Sequence, residues 1–123
     1  MLEVAICDDD KEDLDKAALM LDKILSEYQV QYQIRSFLSA NELLNNNDKI
    51  DIGILDISME ELGGITLGRK LKEKNHDIIH FLRREMLDFT AFPVFFVTNL
   101  LLVQRKKYYF NRATVSRNCS IVL

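Results

Sequence analysis

The chain has 123 residues, of which 48% are hydrophobic and 28% are charged, so its length and composition are those of one soluble globular domain. Its apolar runs all fall short of the roughly 18 residues that a membrane-spanning helix needs, which argues against a membrane protein. The net charge of −3 is divided unevenly, because residues 1–77 carry 17 acidic and 9 basic side chains whereas residues 78–123 carry 2 acidic and 7 basic ones.

Neither the first residues nor the cysteines indicate a secreted protein. The start lacks a basic segment followed by an apolar one, so it does not predict a signal peptide, and the cytoplasm is the expected location. Cys7 and Cys119 have neither the spacing of a metal site nor the density of a disulfide scaffold. We expect both to be free thiols.

Strand and helix patterns alternate over the first two thirds of the chain. Short apolar or alternating runs predict strands at residues 3–7, 29–37 and 50–57. Apolar residues at helical spacing predict helices at residues 11–27 and 65–74, and a capping box of Ser39 and Glu42 begins a short helix between them. This order predicts an α/β fold with a parallel sheet and right-handed crossovers.

The pattern is less regular beyond residue 75. Residues 78–82 and residues 93–98 are both candidates for a fourth strand, and residues 99–123 show neither the helical nor the strand period. The two candidates imply different alignments of the last third of the chain.

Acidic residues follow two of the predicted strands. Asp8, Asp9 and Asp10 end the first strand, and Asp56 ends the third. Ligand sites of open α/β sheets lie at the carboxyl ends of the strands, and oxygen-only ligands of this kind hold Mg²⁺. Taken singly, the first group also suits a solvated turn that favours the following helix dipole, and Asp10 is predicted to be the N-cap of that helix.

Two segments carry a resemblance to a known family: Val-Ala-Ile-Cys-Asp-Asp-Asp at residues 4–10, and Leu-Asp-Ile-Ser-Met-Glu-Glu-Leu-Gly-Gly-Ile at residues 55–65. They resemble the receiver domain of two-component response regulators, and most closely the receivers that precede a LytTR-type DNA-binding domain. The resemblance covers about residues 1–82. It implies a flavodoxin-like (CheY-like) doubly wound parallel sheet, with residues 83–123 as a divergent segment whose fold is irregular or incomplete.

By position, the resemblance implies a role for each residue of the site. Asp56 would be the phosphoacceptor, and Asp8 and Asp9 would hold Mg²⁺ together with Asp56 and the main-chain carbonyl of Ser58. Gly64 would be the loop glycine of the family. The phosphoryl donor would be a phosphohistidine on a sensor histidine kinase or a small acyl phosphate.

The sequence also departs from the family pattern. Glu60 stands where a proline usually follows the Met. Thr98 supplies the expected switch hydroxyl only if residues 93–98 form the fourth strand, whereas Arg83 takes that place if residues 78–82 do. No lysine is convincing as the family's lysine, because Lys106 and Lys107 lack a following proline.

The charge reversal and the loss of motif both begin near residues 82–88, which suggests the hypothesis that the reading frame changed there. A receiver without strands four and five would expose an apolar sheet edge, and a homodimer through that edge is then expected. DNA binding of the LytTR type would need a domain absent from this chain. The basic and aromatic run at residues 105–109 is only a weak signal of nucleic-acid contact.

Three functions therefore compete. The leading interpretation is a receiver that accepts a phosphoryl group on Asp56, and the second is a pseudo-receiver that keeps the fold as an interaction domain but does not switch. The third is a Mg²⁺-dependent aspartyl phosphatase, which would use an Asp-x-Asp pair. The segment from Asp56 to Ser58 lacks the second carboxylate of that pair.

Overall fold

The computed structural model describes residues 1–27, 31–75, 78–83 and 120–122. The strands in these residues are β1 (Leu2–Cys7), β2 (Tyr32–Phe37), β3 (Ile52–Asp56), β4 (Ile79–Arg83) and β5 (Ser120–Val122). The helices are α1 (Lys11–Ser26), α2 (Ala40–Asn45) and α3 (Gly64–Lys74).

The five strands form one sheet in the order β2-β1-β3-β4-β5, and every neighbouring pair is parallel. This strand order is that of flavodoxin-like folds, so the predicted α/β class and the flavodoxin-like topology are confirmed. In the register of β1 against β3, Cys7 lies opposite Leu55. The residues that follow these two strands therefore leave the sheet at the same edge.

Side chains of the central strands alternate between two apolar cores, as the pleat of a strand requires. On β1, Val4 and Ile6 join the core that α1 covers, whereas Ala5 and Cys7 join the core that α2 and α3 cover. The central strands β1 and β3 are thus buried on both faces. This explains why β1 and β3 read as nearly continuous apolar runs.

Two helix starts predicted from the sequence are confirmed by their capping contacts. Asp10 is the N-cap of α1 and accepts a hydrogen bond from the Asp13 amide at 3.1 Å. Ser39 is the N-cap of α2, and its hydroxyl accepts from the Glu42 amide at 3.1 Å. Each cap satisfies one of the amides that a helix leaves unpaired in its first turn.

A buried carboxylate ties β1 to the segment before β3 at the amino-terminal edge of the sheet. Asp51 is 7% exposed, and its Oδ2 accepts a hydrogen bond from the Glu3 amide at 2.9 Å. In the opposite direction, the Asp51 amide donates to the Glu3 carbonyl at 2.8 Å. This reciprocal pair helps to fix the register of the two central strands.

The structure decides between the two candidates for the fourth strand. β4 begins one residue later than predicted and ends at Arg83, and Arg83 lies opposite Asp56 in the β3–β4 register. Thr98, Lys106, Lys107 and the basic run at residues 105–109 lie outside the described residues.

The sequence left the fourth and fifth strands in doubt, and the sheet contains both of them beyond β3. β4 covers the edge of β3, and β5 pairs with β4, although residues 120–122 gave no strand signal. The premise for a dimer through an open β3 edge is therefore not met. Among the helices of the described ranges, none combines the length and the apolar character required to cross a membrane.

Two leucines on α1 offer a test of this packing. Leu21 is 1% exposed in the core, whereas Leu19 on the same helix is 72% exposed. We expect Leu21→Ala to lower the free energy of unfolding by about 2–5 kcal/mol, because it removes buried methyl groups and leaves a cavity. Leu19→Ala, the matched control, should change it by less than about 0.5 kcal/mol. Urea unfolding of both variants measures the difference, and equal losses would contradict the placement of α1.

Candidate functional site

Three carboxylates meet at the carboxyl edge of the central strands. Asp8 and Asp9 follow β1, and Asp56 is the last residue of β3. One carboxylate oxygen from each of the three lies within 4.8 Å of the others. The sequence-based expectation that these residues converge is therefore met by the geometry.

Asp8 is the most deeply placed of the three, with 1% of its surface exposed. Its Oδ1 accepts a hydrogen bond from the Asp10 amide at 2.9 Å, and its own amide donates to the Phe37 carbonyl at 3.1 Å. The first contact satisfies part of the buried carboxylate, and the second extends the β1–β2 pairing past the end of the strand. Main-chain groups thus hold both the carboxylate and the amide of Asp8.

Asp9 is exposed, and its Oδ2 accepts a hydrogen bond from the Glu60 amide at 3.1 Å. Glu60 belongs to the loop that joins β3 to α3, 51 positions further along the chain. This contact ties the end of β1 to the loop after Asp56. The segment after β3 therefore contacts the segment after β1 through a main-chain amide, and the side chain of Asp56 lies close to those of Asp8 and Asp9 as well.

The donor set fits a small hard cation. Carboxylate oxygens are the ligands that Mg²⁺ prefers, and octahedral ligands at about 2.1 Å from the ion lie roughly 3.0 Å apart when adjacent and roughly 4.2 Å apart when opposite. The carboxylate oxygens of the cluster lie within 4.8 Å of one another, which is slightly more than the separation of opposite ligands. Asp8, Asp9 and Asp56 are therefore spaced for direct ligands with a small contraction, or for a ligand that acts through water.

Gly64, the first residue of α3, lies against the main chain of Asp56. A Cβ atom at Gly64 would lie 2.2 Å from the Asp56 carbonyl oxygen and 2.8 Å from its carbonyl carbon. The Gly64 amide also donates to the Ile57 carbonyl at 3.0 Å. A residue without a side chain lets α3 begin directly against the end of β3, where Asp56 enters the site.

A buried thiol lies beneath the carboxylates. Cys7 is fully buried, and its Sγ lies 3.7 Å from the Met59 Sδ. Burial is the largest cause of a raised pKa of the Cys7 thiol, and together with the negative charges of Asp8, Asp9, Glu42 and Asp56 it shifts that pKa from its ordinary value of 9.0 to about 12. The thiol is therefore neutral at physiological pH, and its expected role as a free packing residue is consistent with this position.

Three further residues have a predicted role at the site: Ser58, Arg83 and Thr98. Ser58 is exposed in the β3–α3 loop, and the role of its carbonyl as a metal ligand stays a prediction. Arg83 ends β4 opposite Asp56 in the strand register. Thr98, the alternative switch hydroxyl, lies outside the described residues.

Sequence reasoning did not identify the Glu60 amide or the contact of Met59 with Cys7. The Glu60 contact is made by a main-chain group, and the sequence carries no signal for such a donor beyond the absence of proline at that position. The approach of Met59 to Cys7 joins residues 52 positions apart, which periodicity within one element does not reveal.

The fold is similar to that of solved response-regulator receiver domains. The BeF3-activated DrrB receiver domain is 21% identical, with 91% of this chain and 99% of that chain covered and a TM-score of 0.56. The CheY-like receiver domain protein from Methanospirillum hungatei JF-1 is 16% identical, with 88% and 98% covered and a TM-score of 0.62.

The receiver domain of the Francisella response regulator 1452 is 17% identical, with 87% of this chain and 99% of that chain covered and a TM-score of 0.61. No protein-family model and no curated protein matches the chain. The structural similarities establish a CheY-like fold at low sequence identity.

The close approach at Gly64 predicts a position-specific effect of a single methyl group. Gly64→Ala should lower the free energy of unfolding by about 1–3 kcal/mol, because the helix or the end of β3 must move to admit the Cβ atom. Gly63→Ala is the matched control, since its Cβ would lie 3.2 Å from the Ile57 carbonyl oxygen and needs a smaller adjustment. Urea unfolding measures both. A larger loss in Gly63→Ala would contradict the contact.

The raised pKa of Cys7 predicts how stability depends on pH. Between pH 9.0 and about 12 the unfolded thiol loses its proton while the folded thiol keeps it, so the folded state binds more protons and the free energy of unfolding falls as pH rises. The contribution is complete below pH 9.0. Relative to Cys7→Ala, the wild-type protein should lose up to about 1.4 kcal/mol per pH unit in this window.

Urea unfolding at a series of pH values tests this, with Cys119→Ser in both proteins so that Cys7 is the one thiol compared. The Cys7→Ala protein retains the other groups that titrate in this range and therefore serves as the control. Parallel stability curves for the two proteins would show that the thiol is not held neutral by its surroundings.

Proposed function

We propose that the chain is a receiver domain of a two-component system that accepts a phosphoryl group on Asp56 while Asp8 and Asp9 hold Mg²⁺. The observation that carries this proposal is the convergence of the three carboxylates within 4.8 Å at the carboxyl edge of a CheY-like sheet. A structural turn or a helix cap explains each carboxylate by itself. It does not explain why two acidic segments from separate strands share one place.

The chemistry assigned to the side chains is a phosphoryl transfer. A carboxylate oxygen of Asp56 attacks the phosphorus of the donor, the bond from phosphorus to the donor nitrogen or oxygen breaks, and the leaving group keeps the electron pair. Mg²⁺, when bound, offsets the repulsion between the attacking carboxylate and the phosphoryl oxygens. Asp8 and Asp9 hold the ion, and the Ser58 carbonyl is a further ligand.

Asp56 suits the role of the nucleophile because of where its main chain lies. The residue ends β3 and is half-buried, so its carboxylate enters the site while remaining within reach of a donor. The start of α3 lies so close to the Asp56 carbonyl that a Cβ atom at Gly64 would clash with it, which limits movement of the main chain from which that carboxylate projects. Positioning and charge stabilisation are the main contributions that a protein makes to phosphoryl transfer.

The partners follow from this role. The phosphoryl donor is a sensor histidine kinase or a small acyl phosphate, and the protein acts in the cytoplasm. By the resemblance, it belongs to a LytTR-type regulator of transcription, in which a separate DNA-binding domain contacts DNA. Homodimerisation is a further proposal, although the β3 edge that first suggested it is covered by β4.

The domain division at residue 82 and the frame-shift hypothesis concern the last third of the chain. The reversal of charge after residue 77 supports the hypothesis that residues 83–123 are not an evolved receiver ending. The gene sequence tests it, because one of the other two frames should then encode a Thr or Ser followed by an apolar strand and a Lys-Pro or similar pair.

The β3–β4 register favours a second candidate, a pseudo-receiver that retains the fold as an interaction domain. Arg83 lies opposite Asp56 in this register, at the place where the resemblance leads one to expect a hydroxyl residue. A receiver without that hydroxyl lacks the group that links phosphorylation to a shape change. This candidate predicts that the protein binds its partner equally well in the presence and absence of a phosphoryl donor.

Intact mass spectrometry after incubation with acetyl phosphate and Mg²⁺ separates these functions. The receiver proposal predicts the gain of a single phosphoryl group, which Asp56→Asn abolishes because the nucleophile is removed. Asp15→Asn, an exposed carboxylate on α1, is the control and should leave the adduct unchanged. Continuous release of phosphate would instead indicate a phosphatase, and the absence of any adduct in the folded wild-type protein would refute phosphoacceptance.

A further inference from the structure

The loop between β3 and α3 contacts three separate parts of the molecule through three successive residues. Met59 approaches Cys7 of β1, with 3.7 Å between the sulfur atoms. The Glu60 amide donates to Asp9, and Glu61 accepts a hydrogen bond from the Asn41 side chain of α2 at 3.0 Å. The loop is therefore tied to β1, to Asp9 of the carboxylate cluster and to α2.

The middle contact differs from the other two because it involves a residue of the cluster itself. The Glu60 amide lies 3.1 Å from Oδ2 of Asp9, which is within hydrogen-bonding distance. An amide that donates to a charged carboxylate makes a stronger hydrogen bond than one that donates to a neutral acceptor. The contact is made by the main chain, so any residue other than proline at position 60 is able to provide it.

Asp9 has particular need of such a partner. It is exposed, whereas Asp8 is 1% exposed and bonded to the Asp10 amide. An exposed carboxylate without a fixed partner must lose rotamer freedom when it binds an ion, and that loss weakens binding. A bond to the Glu60 amide restricts the carboxylate beforehand. Because a carboxylate has about four acceptor positions, the bond leaves capacity for a cation.

We propose that the main-chain amide of Glu60 is a positioning group of the cation site, which holds the Asp9 carboxylate in the orientation that binds Mg²⁺. This inference rests on the proposed function, in which Asp9 is a Mg²⁺ ligand. It adds that the β3–α3 loop and the ion stabilise one another. Because binding linkage is reciprocal, Mg²⁺ strengthens the bond from the loop to Asp9 by the same factor that the bond strengthens Mg²⁺ binding.

The side chain of Glu60 has a separate effect that the experiment must remove. Its carboxylate adds negative charge to the loop next to the cluster, and that charge attracts a cation at longer range. Glu60→Gln removes the charge and keeps the amide N–H, and Glu60→Ala removes the side chain and keeps the amide N–H. Glu60→Pro removes the amide N–H as well, so its comparison with Glu60→Ala isolates the hydrogen bond.

Mg²⁺ titration of the full chain, followed by amide chemical shifts, provides the first test. Glu60→Pro should bind Mg²⁺ about tenfold more weakly than Glu60→Ala, which is the lower end of the effect expected from a group that orients a metal ligand. Glu60→Gln and Glu60→Ala should remain within about threefold of the wild-type affinity, since exposed charges are screened. Equal affinities of the folded Glu60→Pro and Glu60→Ala proteins would overturn the proposal.

Hydrogen exchange gives a second test that leaves residue 60 unchanged. In the absence of metal, Asp9→Ala should accelerate exchange of the Glu60 amide several-fold, while the Gly64 amide, which donates to Ile57, should be unaffected. In the wild-type protein, Mg²⁺ should slow exchange of the Glu60 amide. An unchanged exchange rate at Glu60 in Asp9→Ala would also overturn the proposal.

These measurements distinguish failure of this inference from failure of the proposed function. If the wild-type protein binds Mg²⁺ and gains a phosphoryl group while Glu60→Pro matches Glu60→Ala, the positioning role alone is wrong. If the wild-type protein binds no Mg²⁺, the metal site and the positioning role are both wrong. Should Glu60→Pro not fold, the exchange measurements on the wild-type and Asp9→Ala proteins decide the question.

Discussion

The candidate site depends on the strand register, because this register brings three acidic side chains together at one edge of a parallel sheet. The register that places Cys7 opposite Leu55 sends the residues after β1 and the last residue of β3 to the same edge, and the three carboxylates there lie within 4.8 Å of one another. Such a group is electrostatically unfavourable unless hydrogen-bond donors or a cation offset the repulsion. The Asp10 amide donates to Asp8 and the Glu60 amide donates to Asp9, so two of the three carboxylates receive a main-chain donor of this kind.

Contacts elsewhere in the sheet help to fix the relative positions of the strand ends that carry the carboxylates. Asp51 and Glu3 exchange hydrogen bonds at the opposite edge, which restrains sliding of β1 against the segment before β3. Gly64 places the first turn of α3 against the Asp56 carbonyl. A one-residue slip of either strand would exchange the two apolar cores and separate the carboxylates, so the packing and the site are specified by the same register.

Local patterns in the sequence, namely apolar runs and helix caps, predict a large part of this arrangement. Apolar runs and periodicity located the first three strands and the helices α1 and α3, the capping box at Ser39 located α2, and Asp10 was identified as the N-cap of α1. Since parallel neighbours end at a common edge, the acids at positions 8, 9 and 56 were predicted to meet. The sequence did not reveal the Glu60 amide or β5, because one is a main-chain contact between distant segments and the other is a three-residue strand that depends on pairing with β4.

The apolar layer beneath the carboxylates also shapes the chemistry at this edge. Cys7 and Met59 place two uncharged sulfur groups next to the acidic cluster, and the pKa of the thiol, at about 12, keeps a further negative charge away from it. An apolar surrounding lowers the local dielectric and therefore strengthens both the repulsion among the carboxylates and their attraction for a cation. The same burial acts on both effects, and Asp8, as the buried member of the cluster, is the carboxylate on which they are largest.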